Sequence, residues 1–173
     1  MSDPILPILL VPDSRLRARA RAVSPGDTGI AELAEKMLAT MYKAPGIGLA
    51  APQVGIGLRL IVVDVHPDEK PDPRVLVNPE IIAESRETAV REEGCLSLPG
   101  QFADVARPAV IKLRWLDLAG ARHEMEADGL FGVCLQHEID HLNGVLFVDH
   151  LSALKRNMIL RKLAKELKAK AQP

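Results

Sequence analysis

The sequence predicts an α+β domain in which short strands lie between N-terminal, central and C-terminal helices. Three observations predict it. Short β-branched runs are grouped between helical stretches instead of alternating with them, which argues against a doubly wound parallel sheet. One helical stretch is apolar on most sides yet carries two histidines and two acids, so it belongs inside with partners for them. The 173 residues suffice for one compact core, spanning residues 1–173, and are too few for two ordinary ones.

Along the chain, residues 27–43 read as the first helix, because Ile30, Leu33, Met37, Leu38, Met41 and Tyr42 recur at helical spacing. Ala44-Pro45-Gly46 stops it. LRLIVVDV (58–65) is a β-branched strand, and a polar, proline-rich loop, HPDEKPDP, leads to a second strand at RVLVN (74–78). AVIKLRWLD (109–117) alternates as a half-buried strand and pairs with residues 122–127 across Ala119-Gly120. Residues 129–143 form the central helix. Ser152 caps a third, basic helix over about 152–170, with Leu154, Met158, Leu163 and Leu167 as its apolar stripe.

Composition narrows the function classes. At 47% hydrophobic and 26% charged the chain is an ordinary globular protein, and with 3% aromatics its core must be aliphatic. No apolar run approaches the length of a membrane span. The start, MSDPILPILLVPD, has no basic n-region, so no signal peptide is expected. Two cysteines, Cys95 and Cys134, point to a reducing compartment and against a disulfide framework. The net charge of −1 conceals an asymmetry: residues 152–173 hold seven Lys/Arg against one acid, whereas residues 22–151 hold eleven against twenty. Such a tail either forms a solvated helix face or leans on an anionic partner such as RNA.

The chemistry starts at QHEIDHLNGVLF (136–147). His137 and His141 are four apart, one turn above the other on a helix, so two imidazoles can reach one ion. Glu138 points about a quarter-turn away, poorly placed as a ligand and well placed to take a proton from water. A catalytic site of this kind needs a third ligand. Phe147, where one metalloprotease family has a histidine, offers no ligand atom. Glu166 lies on the basic helix, His150 follows a turn, and His66 and His123 have no companion motif. Cys95, in the glycine- and proline-bounded turn EEGCLSLPG (92–100), is the stronger candidate, while Cys134 among Val and Leu reads better as a core residue. One thiolate with two imidazoles suits Zn or Fe(II).

A glycine-rich stretch, GIGLAAPQVG (46–55), lacks the lysine and spacing of a phosphate loop. Its glycines permit a close backbone approach, and Gln53 is its one hydrogen-bonding side chain, an amide suited to an oxyanion.

Together GIGLAAPQ (46–53), EGCLS (93–97) and QHEIDH (136–141) resemble the three motifs of the peptide deformylase family, complete and in order, and the similarity runs from about residue 5 to 165. The resemblance implies an α+β fold with antiparallel β-sheets packed around the central metal-binding helix, Cys95, His137 and His141 as ligands of one Fe(II), for which Zn, Ni or Co can substitute, and Glu138 as general acid/base. It implies Gln53 and the Leu96 backbone N–H as oxyanion donors. It further implies main-chain pairing of the substrate with Ile47, Gly48 and Gly94, and a methionine pocket lined by Ile47, Leu130, Val133 and Cys134. The reaction implied is removal of the formyl group from N-formylmethionyl nascent peptides, releasing formate, by a metal-activated water. The setting implied is the bacterial cytoplasm, with the ribosome as a partner through the basic helix and with neither DNA nor membrane. Because a ligand histidine gives its second N–H to an acceptor, Glu93 is expected to orient one imidazole, and Asp140 to pair with Arg107. Two rivals remain at this stage: a zinc endopeptidase, whose third ligand is not sulfur, and a noncatalytic metal-stabilised protein that tolerates Glu138→Gln.

Overall fold

A computed structural model describes residues 4–172. The first helix, α1, covers Ile30–Lys43. It starts three residues later than the periodicity suggests because Gly29 sits in the left-handed region (φ 75°) and Asp27 is engaged by Arg21 and Ser24. Seven strands follow: β1 Gly48–Ala50, β2 Leu60–Val63, β3 Arg74–Glu84, β4 Thr88–Cys95, β5 Leu98–Pro108, β6 Val110–Leu116 and β7 Arg122–Asp128. Two further helices, α2 Gly129–Leu142 and α3 Ala153–Ala171, complete the order. All named pairings are antiparallel, in a five-stranded sheet ordered β1-β2-β3-β6-β7 and a two-stranded hairpin of β4 and β5. The α+β class and the helix positions agree with the sequence reading.

Strand β3 runs six residues beyond its predicted end, through Pro79. Asn78 adopts a positive φ of 51°, the register shifts between Val77 and Glu80, and the strand resumes against β6. A bulge is where a strand tolerates proline, and the Asn78 side chain secures this one by bonding both the Val23 N–H and the Val23 carbonyl.

Helix α2 lies against the five-stranded sheet. Leu135, Ile139 and Leu142 pack with Ile61, Val63, Leu76, Ile111, Leu113 and Ala127 in one buried cluster. Each fully buried Leu or Ile stabilises by about 1.5–3 kcal/mol, so the helix is fixed before any metal is considered. Beyond it Gly144 (φ 74°) touches the Arg17 backbone where a Cβ would overlap the carbonyl. A turn, Phe147–His150, then crosses back over the site, anchored by buried Phe147 and Val148.

Helix α3 packs in a different phase from the one expected. Ser152 does cap it, accepting from the Lys155 N–H, but Leu154 and Met158 are exposed. Leu163 and Leu167 pack as expected, with Ile159 and Leu160 in place of Leu154 and Met158, against Leu98, Val105 and Phe147. The contact face of the helix is set by β5 and by the Phe147–His150 turn, both of which it meets. No helix among the described residues is long and apolar enough to cross a membrane.

Candidate metal centre

Three elements converge on one cleft of about 660 Å³. Strand β1, on the edge of the large sheet, brings Ile47 and Gly48; the end of β4 brings Glu93, Gly94 and Cys95; α2 brings Leu130, Val133, Cys134, His137 and Glu138. Gln53, in the short 3-10 turn Ala51–Val54, and Leu96, in the tight β4–β5 turn, line the same cleft. Of the residues that the resemblance implies as metal-binding, catalytic or substrate-binding, all border it except His141, which lies one helical turn deeper and is buried.

The three candidate ligand atoms face one another. Cys95 Sγ lies 3.3 Å from His141 Nε2, and His141 Nε2 lies 3.2 Å from His137 Nε2. His137 Nδ1 is 3.0 Å from Glu93 Oε1. A carboxylate only accepts, so Nδ1 carries a proton, and in the neutral ring the Nε2 lone pair points toward the other two atoms. Two imidazole nitrogens at this separation would repel as two lone pairs unless a proton or a metal ion lies between them. Burial disfavours the charged form of both rings; at His137 the nearby Glu138, Cys95 and Glu93 outweigh it and raise the pKa well above the ordinary value, whereas burial and the neighbouring His137 charge depress His141. Cys95, His137 and His141 form the only group of three or more such side chains among the described residues able to converge on an ion, with ligand atoms within 4.8 Å of one another. The sulfur and two imidazole nitrogens fit a borderline-soft divalent metal.

Around this centre the neighbours are specific. Gln53 Oε1 accepts from the Ala50 N–H (2.9 Å), which turns its amide nitrogen toward Ser97 Oγ (3.1 Å) and Cys95 Sγ (3.6 Å). Buried Arg107 grips Glu93 through Nε (2.6 Å) and Nη2 (2.9 Å) and reaches Asp140 through Nη1 (2.8 Å). Burial pushes the Glu93 carboxyl up, but the hydrogen bonds from His137 and Arg107 bring it below its usual range. Burial pushes the Glu138 carboxyl up to about 7, a value suited to exchanging protons near neutrality. Burial also raises the Cys134 thiol, which donates to the Ile47 carbonyl as part of the pocket wall.

The other candidates fall elsewhere. Glu166 accepts from Gln101 on β5, His66 lies beside Asp64, and His123 stacks on Trp115 near Asp117. Phe147 packs its ring nearly parallel to the His137 imidazole (23°, 6.2 Å between centroids). That contact escapes the sequence, since the turn carrying Phe147 is placed by tertiary packing.

A family model described as polypeptide deformylase matches residues 5–157. The chain belongs to the polypeptide deformylase family. A peptide deformylase of Mesorhizobium japonicum is 52% identical over 169 residues, covering 97% of this chain and 96% of that one. Among solved structures, a peptide deformylase from Legionella pneumophila superposes with a TM-score of 0.89 at 47% identity, covering 98% and 99% of the two chains. One from Ehrlichia chaffeensis, in complex with actinonin, gives 0.89 at 40% identity over 96% and 98%. The deformylase resemblance carried by the three motifs therefore extends over the whole described fold.

Proposed function

We propose that this chain is a metal-dependent hydrolase that removes the formyl group from the N-terminal formylmethionine of nascent polypeptides and releases formate. The observation that carries the reading is the convergence of Cys95, His137 and His141 with Glu138 and Gln53 in one cleft. Cys95, His137 and His141 hold the metal, with Fe(II) the native ion and Zn, Ni or Co able to replace it. When bound, the metal supplies a Lewis acid that polarises a carbonyl and lowers the pKa of water.

The chain's own groups do the rest. The methionine side chain enters between Ile47, Leu130, Val133 and Cys134, an aliphatic wall with one polarizable sulfur. The substrate main chain pairs with the backbone of Ile47 and Gly48, on an edge strand, and with Gly94 opposite. Glu138 takes a proton from the attacking water as the water oxygen bonds to the formyl carbon. Gln53 Nε2–H and the Leu96 N–H then stabilise the oxygen that becomes negative. Glu138 returns the proton to the amine as the C–N bond breaks, leaving formate and a free N-terminus. Glu93 keeps His137 in the tautomer that exposes Nε2.

Residues 1–173 serve as a single domain working in the bacterial cytoplasm, with nascent chains as partners and neither DNA nor a membrane. The exposed bases of α3, including Lys162, Lys165, Lys168 and Lys170, support contact with ribosomal RNA. Because Leu163 is buried, the test is Lys165, Lys168 and Lys170 changed to Glu rather than truncation, read as loss of salt-sensitive cosedimentation with ribosomes.

The reading is tested by formate release from formyl-Met-Ala-Ser, using iron-loaded protein kept anaerobic. Multiple turnovers are expected. Cleavage of internal peptide bonds without formate release would replace this reading with an endopeptidase.

A further inference from the structure

An unbroken chain of five polar side chains runs from His137 to the protein surface. His137 Nδ1–H meets Glu93, Glu93 takes two bonds from Arg107, and Arg107 Nη1 donates to Asp140 Oδ2. The last member is His150, whose Nε2 lies 2.7 Å from that same Asp140 oxygen. Glu93 and Arg107 are buried, Asp140 is mostly so, and His150 is about one-third exposed. An imidazole lone pair at that distance would repel a carboxylate oxygen, so Nε2 carries a proton and donates.

We infer that His150 is a positioning residue for the metal centre: by holding Asp140 it keeps Arg107 committed to Glu93, and Glu93 thereby keeps His137 aimed at the metal. This rests on the ligand set proposed above. Two carboxylates compete here for one guanidinium. Asp140 Oδ2 receives two donors, Arg107 Nη1 and His150 Nε2, and these approach each other to 3.4 Å because they share it. Without His150, Asp140 draws on Arg107 alone. The guanidinium is a rigid plane, so rotation of Nη1 toward Asp140 lifts Nε and Nη2 from Glu93. Glu93 then holds His137 less firmly.

The turn that carries His150 also carries Phe147, whose ring lies against His137, so Phe147–His150 braces this ligand on its face and through its N–H. The turn does not depend on the imidazole for its own shape. Asp149 accepts from the Leu146 N–H and pairs with Arg17, and Phe147 and Val148 are buried. A substitution at His150 therefore leaves the fold in place.

The experiment compares wild-type protein, His150→Ala and His150→Gln, each loaded with Co(II), by visible spectrum, rate of cobalt loss to a chelator, melting temperature, and kcat and KM on formyl-Met-Ala-Ser. Disrupting a direct partner of a ligand histidine typically costs 10–100-fold in metal affinity or activity, and His150 acts three side chains further out than Glu93, so His150→Ala is expected to lose cobalt about 3–10-fold faster. Its cobalt bands shift, and kcat falls by about the same factor with KM unchanged. His150→Gln, which can still donate to Asp140, recovers most of both. A wild-type rate of cobalt loss in His150→Ala overturns the inference, as does equal impairment in the two variants, which would mark a packing effect. Wild-type protein that held no cobalt would instead overturn the ligand set itself, and the inference with it.

Discussion

Gly48 faces the Glu138 carboxylate so closely that its missing side chain is a requirement. A Cβ at this position would lie 2.8 Å from Cys134 Sγ and 2.9 Å from both Cδ and Oε2 of Glu138. Ordinary contact begins at 3.4 Å, so in Gly48→Ala the Glu138 carboxylate must retreat by about 0.5 Å, since overlapping atoms repel steeply. It cannot retreat freely, because Glu138 is buried on a helix whose other face is packed against the sheet. Misplacing a reacting group by 1 Å can cost about 100-fold in rate, so a displacement of half that predicts a fall in kcat of about 10-fold. The overpacking should also lower stability by about 1–3 kcal/mol. Formate release from formyl-Met-Ala-Ser measures the first effect and thermal unfolding the second, with Gly57→Ala, which has open space around its Cβ position, as the neutral control. Wild-type kcat in Gly48→Ala would show that Glu138 does not act from this position.

Glu138→Gln keeps the shape of the site but cannot move a proton, so kcat should fall by about 10²–10⁴-fold with metal content unchanged, measured by elemental analysis of the assayed sample. Arg107→Met strands the buried Glu93 carboxylate without its cation and should cost about 3 kcal/mol in urea unfolding at neutral pH. Because Glu93 titrates below its ordinary range, its stabilisation is complete above the unfolded carboxylate pKa and disappears as pH falls through the folded one. The deficit of Arg107→Met should therefore narrow in acid, and a deficit that widened there would contradict the ion pair. Gly144→Ala combines a positive φ with overlap on the Arg17 carbonyl and should cost about 2–4 kcal/mol by the same measurement.

The site was largely legible in the sequence because its chemistry is local. His137, Glu138 and His141 sit within one helical turn and a fraction, where spacing alone fixes which side chains share a face. Glu93 and Asp140 were expected to need partners, and the structure places Arg107 between them. Cys95 was different: residue chemistry ranked it first, but its selection as ligand leaned on the resemblance. Phe147 and His150 could not be read, since both act through a turn whose path is set by burial of Phe147 and Val148. The fold shows the same division. β2 and β6 announce themselves by apolar runs or alternation, whereas β4 has half of its residues exposed in no alternating order and gives no period to detect. β3 crosses a proline on the strength of a bulge fixed by Asn78 and distant Val23, and the phase of α3 depends on which hairpin it meets.

The central claim is that a cysteine completes the metal site of a deformylase. It is tested most directly by measuring, on the same anaerobic samples of wild-type and Cys95→Ser protein, the metal bound per chain and the formate released from formyl-Met-Ala-Ser. Wild-type protein should hold one metal and turn over repeatedly, while Cys95→Ser should lose both metal and activity. Retention of both by Cys95→Ser would contradict the account.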